Sequence, residues 1–215
     1  HAEHGGGNNS TFACRVLTST GTDFYSSIAA AVGSLKGFRH GGANIKVVEM
    51  MQYLRNAVRD WKDDGQVKDQ LVRILNRELG DGTGLIYGMG HAVYTLSDPR
   101  AEILKQFSRH LAEKRGMVDQ LDLIESVERL APQVFQEVRG IDKPICANVD
   151  LYSGFVYRLL GIPTDLYTAI FASARMAGWC AHRMEECCSD DPRIIRPAYK
   201  TVCKRVPYVP LPDRG

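Results

Sequence analysis

The sequence has no C-x-x-C pair, no basic tract, no long apolar run and no internal repeat. Each absence removes a class of function. Without a C-x-x-C pair, the spacing that builds zinc and thioredoxin-type redox sites is missing, so no metal centre is expected. The six cysteines are scattered and only Cys187 and Cys188 are adjacent. Free thiols in a reducing cytoplasm are the expectation. No apolar run is long enough to span a bilayer, and no secretory signal pattern is visible, so no membrane partner is expected. Lysine and arginine number 27 against 25 aspartate and glutamate residues, a formal net charge of +2. Nothing therefore marks the whole surface for nucleic acid. Alternating strand patterns are absent beyond scraps.

What is present is helical patterning almost throughout, in a chain of 215 residues that can bury a real core as one or two domains. The spacing predicts a helix over residues 23–36, ended by Gly37. Asn44 is a candidate cap for the next, whose apolar positions Val47, Val48, Met51, Leu54 and Val58 recur at helical spacing. Further helices are expected over 67–79, 99–114 and 117–138, with glycines at 80, 116 and 140 as stops. Asp150 is a candidate cap for a helix to residue 160, stopped by Gly161 and Pro163. The longest apolar helix runs over 164–186. Its small residues Ala172, Ser173, Ala177, Gly178 and Ala181 predict a buried helix at an interface. From Asp190 onward the proline-rich tail reads as extended.

One stretch carries chemistry: Gly88-Met89-Gly90-His91-Ala92-Val93-Tyr94-Thr95-Leu96-Ser97-Asp98-Pro99-Arg100. A glycine-loosened loop delivers a histidine. Nine residues later Arg100 follows Asp98, a good cap, and Pro99, a good first helical residue. Arg100 then lies in a first turn, where backbone N–H groups also favour anions. A histidine beside an anion-binding helix start suits a reaction on a carboxylate-bearing carbonyl compound.

That run resembles the G-x-G-H-x-V-Y-x-x-x-D-P-R signature of the citrate synthase family. Two blocks extend the resemblance in the family's order. One is His1-Ala2-Glu3-His4 through Asn8-Asn9-Ser10-Thr11 to His40-Gly41-Gly42-Ala43-Asn44. The other is Asn148-Val149-Asp150-Leu151-Tyr152-Ser153-Gly154, continuing through Gly161-Ile162-Pro163-Thr164 to Arg175-Met176-Ala177-Gly178-Trp179. The resemblance implies an all-α, two-domain helical fold with the active site in the cleft. Residues 1–40 and 162–215 would belong to a large domain and 41–161 to a small one. It also implies that His1 starts inside a motif, so this chain is expected to be the C-terminal part of a longer enzyme whose N-terminal segment is a partner.

The implied reaction condenses acetyl-CoA, as co-substrate, with oxaloacetate, with no permanently bound cofactor. By resemblance Asp150 is the base, His40 stabilises the enolate oxygen and His91 polarises the oxaloacetate carbonyl. Arg100, Arg175 and Arg196 clamp carboxylates, the last reaching in from the partner of a homodimer, and His4 adds a hydrogen bond. The loop Ile86-Tyr87-Gly88-Met89-Gly90 is implied to meet the adenine of CoA through its backbone. Thr95 stands where many members carry a basic residue for CoA phosphates.

Each residue also has a plain structural reading. Asp150 could be only a helix cap. His40 could be a surface loop residue, and Arg100 could bridge surface carboxylates. Arg175 lies mid-helix among apolar and small residues, where an unpaired charge is costly, so a ligand or buried acid must meet it. Among Arg193, Arg196, Arg205 and Arg214, the Arg-Pro-x-x-Tyr context singles out Arg196. Two alternatives stand beside the main reading: a 2-methylcitrate synthase using propionyl-CoA, and a non-catalytic helical scaffold that keeps the fold.

Overall fold

The computed structural model describes residues 5, 7–38, 40–198, 200 and 202–214. Among them all regular structure is helical: α1 (Asn9–Thr18), α2 (Phe24–Leu35), α3 (Ala43–Ala57), α4 (Asp64–Leu75), α5 (Pro99–Arg115), α6 (Val118–Arg139), α7 (Val149–Leu159) and α8 (Tyr167–Cys187). Short 3-10 turns sit at Thr164–Leu166 and Leu211–Asp213. His1 and His4 lie outside the described residues.

Two hydrophobic cores form. The larger lies among α3 to α7, where Leu54, Leu71, Leu121, Leu123, Val127 and Leu151 are fully buried. The smaller lies among α1, α2 and α8 and consists of Cys14, Ile28, Ala31, Leu35 and Trp179. Contacts follow the same division: α1 packs on α2 and α8, while α7 packs on α3 and α5, and α6 on α4 and α5. Tyr167 joins the two, donating its O–H to the Gly154 carbonyl at 3.1 Å. Thr168 does likewise, donating to the Gly41 carbonyl at 3.0 Å.

Several helix ends fall where the sequence puts them, because their signals are local. Asp98 caps α5 with Pro99 at its first position. Gly116 and Gly140 end α5 and α6 in the left-handed region, at φ 64° and 63°. α1 adds a full helix before the first one expected. Three expectations need correction. Asn44 does not cap α3: Gly42 holds that place and Asn44 is buried one residue inside the helix. α4 starts at Asp64, capped by Asp63, and stops at Leu75; Arg77 turns the chain at φ 66°. Asp150 does not cap α7, because the Asn148 side chain accepts the Asp150 N–H at 2.9 Å.

The apolar helix expected over 164–186 is also only half buried in this chain. α8 buries Tyr167, Arg175, Gly178 and Trp179, but Ala169, Ser173, Ala177, Ala181 and Met184 face outward. Among the described residues α1 and α2 give most of its cover, and two short helices cannot wrap a 21-residue one.

Candidate active site

A cleft of about 510 Å³ opens where the two cores meet. One wall comes from the larger unit: His91, Arg100, Asn148, Val149 and Asp150. The other comes from the bundle: Asn8, Leu35, His40, Gly41, Phe171 and Arg175. Four helix starts converge here. Asn8 stands at the cap of α1, Gly41 just before α3, Arg100 in the first turn of α5, and Asn148 to Asp150 at the start of α7. Each helix start carries about half a positive charge. With two arginines added, the cleft is suited to a dianion.

Backbone pairing fixes the first wall. The Gly90 N–H donates to the Cys146 carbonyl and the Asn148 N–H to the Gly88 carbonyl, both at 2.8 Å. The Asn148 amide also donates to the Gly90 carbonyl at 2.8 Å. This bridge seats the His91 loop directly against the start of α7. Gly88 is required there: at φ 83°, an added Cβ would lie 2.9 Å from the Leu151 backbone.

Asp98 completes the wall. It is 1 % exposed and does more than cap. Its carboxylate accepts from the Arg100 backbone N–H at 3.0 Å, from Nε at 3.0 Å and from Nη2 at 2.8 Å. It also accepts the Val149 N–H of α7 at 3.2 Å. Burial works against its charge, yet the Arg100 guanidinium and these N–H groups hold its carboxyl below the usual range.

His91 accepts the N–H groups of Val93 and Tyr94 on Nδ1, at 3.0 and 3.1 Å. In the neutral ring the proton is therefore assigned to Nε2. Arg100 Nη2 lies 3.3 Å from that Nε2. Two donors side by side make a seat for acceptor oxygens. His40 accepts the Ser10 N–H on Nε2 at 3.3 Å, which assigns its proton to Nδ1. Both histidines are thus oriented as neutral donors by the backbone.

Asp150 is released from capping by Asn148 and lines the cleft. Part of its surface meets the cleft, but protein surrounds the carboxyl. That burial pushes its pKa up to about 6, against the pull of Arg100 and Arg175 and with the push of Asp98. Such a carboxylate is a stronger base than an ordinary aspartate and still ionised at neutral pH. Arg175 is 1 % exposed, with its guanidinium 4.9 Å from the Phe171 ring centroid.

The structure therefore gathers His40, His91, Arg100, Asp150 and Arg175 around one cleft. It does not bring Arg196 there. Arg196 is exposed, and its neighbour Ile195 is tied to Ser19 at the far end of α1. A ten-residue helix separates that point from Asn8, about 15 Å. The loop Ile86-Tyr87-Gly88-Met89-Gly90 does not line the cleft; Ile86 is in the larger core and Tyr87 donates to Asp81 at 2.8 Å. Sequence reasoning missed Asp98 as a clamp, Asn148 as the true cap, and Asn8, Leu35 and Phe171 as lining. The Asn148 signal was available: asparagine two places before an aspartate, at the same helix start. Among the described residues no group of three or more His, Cys, Asp or Glu could hold a metal, and no helix is long and apolar enough to cross a membrane.

Comparison with known proteins returns one consistent family. The family model for the citrate synthase C-terminal domain matches residues 1–198. Citrate synthase of Haloferax volcanii is 39 % identical over 215 residues, covering all of this chain and 51 % of that protein. A 2-methylcitrate synthase of Shewanella oneidensis is 38 % identical over 191 residues, covering 89 % of this chain and 45 % of that protein. Among solved structures, the ternary complex of carboxymethyl coenzyme A and oxaloacetate with citrate synthase from Thermoplasma acidophilum superposes with TM-score 0.71 at 33 % identity, covering 99 % of this chain and 52 % of that one. The chain spans about half the length of the curated relatives it matches.

Proposed function

The chain belongs to the citrate synthase family, and from that premise we propose that its cleft binds oxaloacetate and the acetyl group of acetyl-CoA to make citrate. The observation that carries this reading is Asp150: an uncapped carboxylate with its pKa near 6, facing two oriented histidines and two arginines. Asp150 takes a proton from the thioester methyl carbon while His40 Nδ1–H donates to the thioester oxygen as charge builds there. The enolate carbon then attacks the keto carbon of oxaloacetate. His91 Nε2–H, beside Arg100, gives its proton to the keto oxygen, which becomes the citrate hydroxyl, and the proton held by Asp150 returns to His91 through solvent. Water then adds its hydroxyl to the acyl carbon as the C–S bond breaks and its hydrogen goes to the sulfur, releasing CoA and citrate. Arg100 and Arg175 hold the carboxylates through charge-assisted pairs.

We place Arg196 in the same scheme as a group supplied across a homodimer, since it cannot reach its own cleft. His4, and the loop Ile86 to Gly90 for the CoA adenine, keep the roles the family resemblance implies. Residues 41–161 act as a small domain closing on a large one made partly of 1–40 and 162–215, in a cytoplasmic enzyme. The similarity to a 2-methylcitrate synthase supports a second reading, with propionyl-CoA in place of acetyl-CoA. One extra methylene changes selectivity by only about 10–200-fold.

The test is calorimetry with oxaloacetate and with CoA, alongside a CoA-release assay with both thioesters. Arg100→Leu and Arg175→Leu should each weaken oxaloacetate binding by about 10–100-fold, as expected for a lost charge-assisted pair. CoA binding should change little. Equal losses for both ligands would remove the clamp assignment. Faster release from propionyl-CoA would favour the second reading.

A further inference from the structure

Tyr94 has no role in the scheme above, yet it touches both donors of the first wall. Its backbone N–H donates to His91 Nδ1 at 3.1 Å. Its ring packs on the imidazole with centroids 4.9 Å apart and planes tilted by 37°. The Arg100 guanidinium carbon lies 5.6 Å from the centroid of the same ring. The Tyr94 carbonyl in turn accepts the Cys146 thiol at 3.4 Å, which ties the residue to the segment leading into α7.

His91 Nε2 and Arg100 Nη2 are 3.3 Å apart, and both present hydrogens. Two donors at that distance repel, and Arg100 is charged. Something must hold them together before a ligand arrives. Asp98 grips one edge of the guanidinium through Nε and Nη2. That pair fixes one edge of the guanidinium, and the Arg100 side chain stays 18 % exposed. The Tyr94 π face, 5.6 Å from the guanidinium carbon, attracts the same group. We infer that Tyr94 is a positioning residue whose ring holds His91 Nε2 and Arg100 Nη2 side by side as one donor pair. On the functional reading above, on which this part rests, the pair receives the keto oxygen and adjoining carboxylate of oxaloacetate.

The arrangement leaves a signature on His91. Arg100 Nη2 lies 3.3 Å from its Nε2, so the imidazole nitrogen shifts report whether the pair is held together.

The experiment compares the 215-residue chain with Tyr94→Phe and Tyr94→Leu. The imidazole nitrogen shifts of His91 are recorded by NMR without ligand, and oxaloacetate affinity is measured by calorimetry. Tyr94→Phe keeps the ring and should match the parent within twofold in affinity, with the same His91 nitrogen shifts. Tyr94→Leu keeps the backbone N–H and most of the volume. It should weaken oxaloacetate about 2- to 30-fold, the range of one cation–π contact, and move the His91 nitrogen shifts. Leucine matching the parent in both readouts would overturn the inference. So would phenylalanine losing as much as leucine, which would assign the effect to the hydroxyl. A parent that ignores oxaloacetate, with His91 still shifting in the leucine variant, would uphold the positioning role and sink the substrate reading alone.

Discussion

The cleft has two walls from regions built in different ways. The α3–α7 region buries 24 side chains in one continuous core. The core of the α1, α2 and α8 bundle holds five apolar side chains, and Phe12, Tyr25, Phe38, Leu166 and Met184 are exposed around it, Tyr25 by 82 %. The wall on the first region is stitched by its own hydrogen bonds, through Asp98, Asn148 and the Gly88–Gly90 bridge. The wall on the bundle, with His40 and Arg175, stands on a thin core. A catalytic group can be preorganised only as well as the packing behind it. The first wall is therefore backed by a large core, while the second stands on a bundle with much apolar surface exposed among the described residues.

The largest effect should come from the stitched wall. Asp150→Asn should leave oxaloacetate binding in place and cut CoA release by at least about 10²–10⁴-fold, the contribution of one positioned base. The assay is run where the parent turns over, and a loss below tenfold would remove Asp150 from the chemistry.

Next, the two cores can be weighed against each other by urea unfolding. Leu54→Ala removes a fully buried side chain from the large core and should cost about 2–5 kcal/mol. Ile28→Ala in the bundle should fall near the low end, about 2 kcal/mol, because a small core beside an open cleft can collapse around the gap. Equal costs would erase the contrast.

The smallest effect is in the pH dependence of stability. An unfolded aspartate protonates near pH 4, whereas Asp150 in the fold holds its proton up to about pH 6. Between these values the folded state binds the extra proton, so stability falls as pH rises from about 4 to about 6 and is flat above. Asp150→Asn should remove that slope, about 1–3 kcal/mol. An unchanged slope in the variant would mean that the carboxyl is not desolvated.

Much of this was legible residue by residue. Helix ends such as Asp98-Pro99, Gly116 and Gly140 depend on backbone sterics within one or two residues, so they show in the chain. That His91, Arg100, Asp150, His40 and Arg175 line one cleft was foreshadowed for a similar reason: motif spacing is a property of the sequence. The cap misreadings share one cause. Asn44, Asp150 and Asn148 are all competent caps, and only the direction in which the chain enters each helix selects among them.

The sequence by itself determined an all-helical chain with its chemistry placed at glycine loops and helix starts, because capping, left-handed glycine turns and apolar periodicity are local physics. Only the tertiary structure decided which polar groups are clamps, caps or bases. Asp98 became a four-bond clamp because α7 delivers the Val149 N–H to it. Asp150 carries a raised pKa because Asn148 took its cap and burial desolvates its carboxyl. Arg196 was set apart from the cleft by the length of α1. Desolvation and hydrogen-bond partnership depend on what lies close in space, and no spacing along a chain encodes that.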